Sequence, residues 1–306
     1  MSAPATIHLV DASIYVFRAY FGNPGEFNDE DGRPVGAVFG FLGFLLGMLE
    51  RAAPSHVAIA FDHSLTISFR NAIYPAYKAQ RELPPPELEA QFEHCRAFVE
   101  ALGLTGLLHE SYEADDLIGS ALAQLRAQQF RAVVISGDKD LAQLIGLDDE
   151  LWDPGRSDAL SHAAVALKLG VRPDQVADFL ALTGDAVDNI PGVPGIGPKT
   201  AVALLQRFGT LDALLERVEE IPFMLKLRGA ATVAARLREH RELALLSRRL
   251  TVIALDAPVP LAPEHYAVRA PDRPRLTALC DRMRFGPLTR RRIDEYASRF
   301  AARAVA

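Results

Sequence analysis

The sequence predicts an α/β domain on a mostly parallel sheet covered by helices, followed by an all-helical lobe. Three observations predict it. Short apolar runs alternate with longer helical patterns over roughly the first 160 residues. Three of those runs are apolar on both faces and stop at or just before an aspartate. Beyond them come short helices separated by Gly, Pro and Asp.

The elements follow in order. "IHLV" (7–10) is a strand ending at Asp11. The greasiest run, Val35 to Leu49, lies in a helical pattern over 36–52. Glycines interrupt it and it is shorter than the ~20 residues of a membrane span, so it reads as a buried helix. "HVAIAF" (56–61) is a strand ending at Asp62. Helical patterns follow at 87–102 and 114–129, then the strand "RAVVIS" (131–136), then Gly137, Asp138 and a helical pattern at 139–146. The expected domains are 1–160 (α/β), 161–250 (helical) and 251–306 (tail). "LTVIAL" (250–255) is expected to return to the sheet, before a proline-rich and then basic helical tail.

The chain has 306 residues, 49% apolar and 24% charged, an ordinary soluble balance. Two cysteines, Cys95 and Cys280, suggest neither a disulfide framework nor a zinc site, and point to a reducing, cytoplasmic setting. The N-terminus lacks the basic and apolar regions of a signal peptide, and no membrane association is expected. A net charge of −6 argues against nucleic acid as a partner unless the acids are concentrated in one place.

They are concentrated. Asp11, Asp62 and Asp138 sit at strand ends, the edge where parallel sheets bind ligands. Any one of them reads as well as a helix cap or turn residue. "SYEADD" puts Glu113, Asp115 and Asp116 in the first turn of a helix, within one half of its circumference. One or two acids there suit the helix dipole, whereas three would repel one another without a cation. "GDKD" adds Asp140, and "GDAVD" adds Asp185 and Asp188. Carboxylates without His or Cys are hard ligands suited to Mg²⁺ or Mn²⁺, and paired ions of this kind serve phosphodiester hydrolysis. Setting these nine aside leaves 30 acids against 33 Lys+Arg, about +3, so the net charge does not exclude nucleic acid.

"GVPGIGPKTA" (192–201) gives Gly192, Gly195 and Gly197, then Lys199, Thr200 and a helix. Glycines allow a tight turn, and a helix start offers free N–H groups to phosphate. The form fits a helix-hairpin-helix that grips a DNA backbone, and equally a plain Gly/Pro loop. The spacing is not that of a Walker loop, and no strand precedes it as a dinucleotide fingerprint requires.

In this order, "YEADD", "SGDKDLAQL" and "GDAVDNIPGVPGIGPKTA" resemble the bacterial 5′–3′ exonuclease family. That family includes the 5′-nuclease domain at the N-terminus of DNA polymerase I and is related to flap endonucleases. With no polymerase module following, a free-standing member is expected. The resemblance implies a PIN/5′-nuclease-like fold with a helix-3-turn-helix lobe. It implies that all nine acids hold two or three Mg²⁺ or Mn²⁺ ions. It implies that Arg18, Arg70, Lys78 and Arg81 lie near the scissile phosphate. It implies that about 77–92 forms a helical arch for a 5′ single strand, with Tyr77 stacking on a base. Main-chain carbonyls of Val193 and Ile196 would hold K⁺. Ala12 stands where the family usually has Gly. Pro198 replaces a polar residue and removes one N–H donor, and the arch is proline-rich and poor in positive charge.

The implied activity is metal-dependent 5′–3′ exonuclease or flap endonuclease action on DNA 5′ ends, flaps or nicks, alongside a polymerase and a ligase. One alternative is a structure-specific DNA-binding protein with weak or no catalysis, although no matched acid is missing. A second is an RNA-cutting PIN nuclease, usually smaller and without a hairpin lobe.

Overall fold

The computed structural model describes residues 4–22, 27–64, 67–155, 158–225 and 229–305. Among these residues six strands form one sheet: β1 (Thr6–Asp11), β2 (His56–Ala60), β3 (Thr105–Leu107), β4 (Arg131–Ile135), β5 (Glu150–Trp152) and β6 (Leu160–Ser161), in the order β3-β2-β1-β4-β5-β6. Only the β5–β6 pairing is antiparallel. Leu9 faces Ala58 on one side and Val134 on the other, so β1 is central and its side chains are almost wholly buried.

Helices α1 (Ala12–Gly22) and α2 (Gly36–Ala52) connect β1 to β2, and α3 (Phe69–Ile73) and α4 (Pro86–Ala101) connect β2 to β3. α1, α2 and α4 cover one face of the sheet, around Phe41, Leu42 and Phe98. α5 (Ala114–Arg126) leads to β4 on the other face, packing Leu117, Ile118 and Leu122 against Leu9 and Val134. The chain therefore runs outward from β1 to β3 and then crosses to β1's other side. The crevice at such a reversal, outside the carboxyl ends of β1 and β4, is where open α/β sheets bind ligands.

The helical lobe comprises α6 (His162–Leu169), α7 (Val176–Thr183), α8 (Pro198–Phe208), α9 (Leu211–Glu216), α10 (Ile221–Met224), α11 (Ala230–Glu239) and α12 (Arg241–Thr251). It has its own core around Leu180, Leu204, Leu205 and Leu237. α13 (Arg273–Arg282) and α14 (Pro287–Val305) then return to the first face, where Cys280 and Tyr296 join the core that contains Cys95. Both cysteines are free and buried, and burial pushes the Cys280 thiol up to about 11, so they pack rather than react. Among the described residues no helix is long and apolar enough to cross a membrane.

Three expectations are corrected here. Residues 250–255 form no strand: Leu250 and Thr251 end α12, and 252–255 run extended over α5, where a Cβ on Gly119 would meet Ile253. The N–H groups of Ile253 and Ala254 bond to side chains instead of a neighbouring strand. The pattern at 139–146 is a single 3₁₀ stretch, Asp140–Leu144. The arch region is not helical from 77 to 85; turns and coil lead to α4, whose start is set by Pro86 at its first turn.

Candidate active site

The carboxyl edge of the sheet gathers the strand-end acids as expected. Asp11 ends β1, Asp62 lies two residues past β2, and Asp138 three past β4. The Asp11 carboxylate accepts from Ser136 Oγ at 2.8 Å, and Ser13 Oγ accepts the Asp62 N–H at 3.1 Å. Asp62 in turn accepts the N–H of Ala114 at 2.8 Å, which fixes the start of α5 beside it. Burial, then Asp62, pushes the Asp11 carboxyl up to about 7. Burial, then Asp138, Asp11 and Asp62, raises Asp115 well above the ordinary range. These four aspartates therefore face one another at close range, without enough positive charge to offset them.

A second group adjoins them. Asp140 is raised to about 8 by burial and by Asp138 and Asp185, and its Oδ1 is buried without a hydrogen-bond partner. A buried carboxylate oxygen with no donor is costly in a protein and is a position a hard cation satisfies. Asp185 reaches Lys139 Nζ at 2.7 Å, and Asp188 reaches Arg81 at 2.6 Å and the Tyr77 hydroxyl at 3.1 Å. Lys78 lies between Glu113 and Asp188. Burial lowers its pKa, but Glu113 and Asp188 outweigh that and raise it, so the ammonium stays charged. Its backbone has φ 54°, a left-handed conformation uncommon for a side chain of this size, and its N–H bonds to the Asp188 carbonyl. The all-oxygen donor set and the partnerless Oδ1 fit divalent metal. Among the described residues no three side chains are already closed around a single ion position.

The acids of the α5 first turn do not act together. The helix turns Asp115 toward Asp11, Asp62 and Asp138, while Glu113 and Asp116 point at Arg70. Arg70 is 3% exposed, and its guanidinium binds Asp116 through two nitrogens at 2.8 Å, Glu113 at 2.8 Å, and the carbonyls of Leu250 and Val252. Every donor is used, so Arg70 is a buried strut rather than a phosphate contact as arranged. Asp116 is fully buried and takes Arg70 together with the N–H groups of Glu113 and Ala254, so its acceptor positions are occupied in this arrangement. Burial pushes Glu113 up, but Lys78 and Arg70 hold it below its usual value, an ion-paired carboxylate rather than a free ligand. Tyr77 is 3% exposed with its hydroxyl on Glu113 and Asp188, so it is core and does not offer its face to a base.

Arg18 forms a two-pronged pair with Asp153 at 2.5 and 2.9 Å, and its guanidinium lies against Gly137 of the site loop. Ser13, Ser136, Asp153 and Lys139 escape sequence reasoning, although Ser136 and Lys139 sit inside the quoted "SGDKD".

The hairpin joins α7 to α8. Gly184, Gly192 and Gly195 all have positive φ, and a Cβ on Gly192 would run into the backbone of Thr183 and Gly184. Val193 and Ile196 are buried in the lobe core, and the Val193 carbonyl accepts the Ile196 N–H at 3.0 Å. The Gly195 carbonyl takes Arg236 at 2.9 Å. Gly197 caps α8 and is exposed, as is Lys199, while Thr200 is half-buried.

Residues 6–170 match the family model of the 5′–3′ exonuclease N-terminal resolvase-like domain, and residues 171–274 that of the 5′–3′ exonuclease C-terminal SAM fold. The chain is 38% identical to DNA polymerase I of Rhizobium leguminosarum over 93% of its own length and 28% of that protein. It is 41% identical to DNA polymerase I of Pseudomonas aeruginosa over 92% and 31%. It thus spans about a third of the length of the curated relatives it matches. Among solved structures, T5 5′-exonuclease with divalent zinc ions bound has a TM-score of 0.64 at 18% identity, over 97% of this chain and 98% of that one. The catalytic core of Rad2 in complex with DNA substrate has a TM-score of 0.62 at 13% identity, over 96% and 92%. At these identities the structural likeness shows a shared fold.

Proposed function

The chain belongs to the 5′–3′ exonuclease family, and on that premise we propose that it hydrolyses DNA phosphodiesters at 5′ ends, flaps or nicks with divalent metal. One observation carries the reading. Asp11, Asp62, Asp115, Asp138 and Asp140 crowd one edge of the sheet with raised pKa values, and one buried carboxylate oxygen has no partner.

Asp11, Asp62, Asp115 and Asp138 would hold one ion, and Asp138, Asp140, Asp185 and Asp188 a second, Mg²⁺ or Mn²⁺ by their hardness. When bound, such ions supply Lewis-acid stabilisation of charge developing on the phosphodiester. Lys78 and Arg81, both held by Asp188, stand ready to pair with phosphate oxygens. Arg18 would do so only by loosening from Asp153. Gly192, Gly195, Gly197, Lys199 and Thr200 would grip the duplex by its backbone, and carbonyls of the same turn, including those of Val193 and Ile196, would hold K⁺. The T5 and Rad2 structures, a metal-bound exonuclease and a DNA complex, support DNA and divalent metal as partners. Action beside a polymerase and a ligase in the cytoplasm completes the reading.

Asp115→Asn is expected to lower cleavage of a 5′-flap duplex at least about 100-fold while leaving the gel-shift affinity within a few-fold. Full cleavage by this variant at saturating Mg²⁺ would overturn the site.

A further inference from the structure

Residues Leu250–Ala254 are held by four elements at once. Arg70 on α3 donates to the carbonyls of Leu250 and Val252 at 2.8 and 3.0 Å. The Ala254 N–H donates to Asp116 Oδ1 of α5 at 2.8 Å. The Thr251 hydroxyl donates to the Ala177 carbonyl of α7 at 2.9 Å. The fourth partner is Gln143, in the 3₁₀ stretch that begins at Asp140. Its Nε2 donates to the carbonyls of Thr251 and Asp140, each at 3.0 Å, and its Oε1 accepts the Ile253 N–H at 3.0 Å.

One amide thus ties Asp140 to the linker that leaves the helical lobe. Two main-chain atoms beyond it, Thr251 is bonded to α7, the helix that runs directly into the loop carrying Asp185, Asp188 and the hairpin glycines. α12 packs along α7 through buried Ala244 and Leu180 of the same core. Lys139, next to Asp140, also reaches Asp185 directly at 2.7 Å, whereas Gln143 bonds both the turn of Asp140 and the linker. Gln143 is not itself among the proposed ligands; it bonds the main chain of one of them, Asp140.

We propose that Gln143 is a positioning residue: it sets Asp140 against Asp185 and Asp188, so that movement of the hairpin lobe on duplex binding reaches Asp140 through α7, Thr251 and Gln143. This rests on the nuclease reading above. Such coupling travels through contiguous hydrogen-bonded contacts between packed elements, and a small misplacement of a catalytic group is enough to slow chemistry by about a hundredfold.

The test uses the full chain, Gln143→Met, which keeps length but no hydrogen bonds, and Thr251→Val, which removes the link to Ala177 along with a hydroxyl bond to the Arg248 carbonyl inside α12. The first readout is flap cleavage with Mg²⁺: kcat falls about ten- to a hundredfold with KM unchanged. The second needs no turnover. Hydrogen–deuterium exchange is followed in EDTA with and without a 5′-flap duplex. In the parent, the duplex protects amides in 184–200 and also in 138–145. Both variants keep the first protection and lose the second. Protection of 138–145 retained in both variants, or kcat unchanged in both, overturns the proposal. Should one variant not fold, the other carries the same two readouts. A parent protected only at 184–200 also overturns it, while the nuclease reading stands. A parent with no duplex protection at 184–200 sinks the nuclease reading itself, and this proposal with it.

Discussion

At the residue scale, the same chemical type plays opposed parts a few ångströms apart. Asp115 and Asp116 are neighbours, yet one joins an uncompensated acid cluster and the other is neutralised by a guanidinium. The difference is about 100° of helix rotation, and a count of acids in a first turn cannot show which way each one points. Arg70 follows from this. Replacing it by Gln leaves Asp116 buried and unpaired, so the urea midpoint should fall by an amount equivalent to about 3–5 kcal/mol. An unchanged midpoint with weakened DNA binding would return Arg70 to the phosphate. His8 gives a pH signature away from the acids. It is buried on β1 with no partner for Nδ1, and burial, then Arg131, lowers it to about 4 from an ordinary 6.5. The unfolded chain therefore binds the proton first. The cost is absent above pH ~6.5 and grows as pH falls toward 4, reaching about 2 kcal/mol near pH 5. His8→Leu should gain that much stability relative to the parent between pH 7 and pH 5, measured by paired urea melts. A difference independent of pH would mean that His8 titrates normally.

At the element scale, the strands that ended in acids were legible because β1, β2 and β4 are long, apolar on both faces and stopped by Asp. β3, β5 and β6, two or three residues each, carry too little period to read. "LTVIAL" failed for the reverse reason: it has strand composition, but it ends a helix and starts a linker, and the N–H groups of Ile253 and Ala254 go to Gln143 and Asp116. Propensity was overruled by tertiary partners. The stacking role that the resemblance implied for Tyr77 is not one its buried ring can take as placed, because burial was not legible in the sequence. The hairpin was legible as a turn because its glycines are obligatory. Gly192→Ala should cost about 1–3 kcal/mol and weaken duplex binding, because its φ is 63° and the backbone of Gly184 occupies the space. Gly197→Ala, at an extended position with open space, should be tolerated. Circular dichroism melts and gel shifts on both would compare them; equal behaviour would contradict the reading of the turn.

At the scale of the whole molecule, the net charge of −6 and the proposed DNA substrate are reconciled by geography. The acids concentrate at one sheet edge, and α8 of the hairpin lobe begins at exposed Gly197 and Lys199. The lobe and the edge are joined by a linker hydrogen-bonded to Arg70, Asp116 and Gln143, so the proposed grip on duplex and the proposed cutting site are mechanically tied. Cleavage of a 5′-flap duplex, labelled at the flap's 5′ end, with Mg²⁺ and then with EDTA, tests this most directly. Short labelled fragments that appear with Mg²⁺ and vanish with EDTA are the predicted result, their size separating trimming from junction cutting. An intact flap with a clear gel shift under both conditions would contradict it and leave a DNA-binding protein without catalysis.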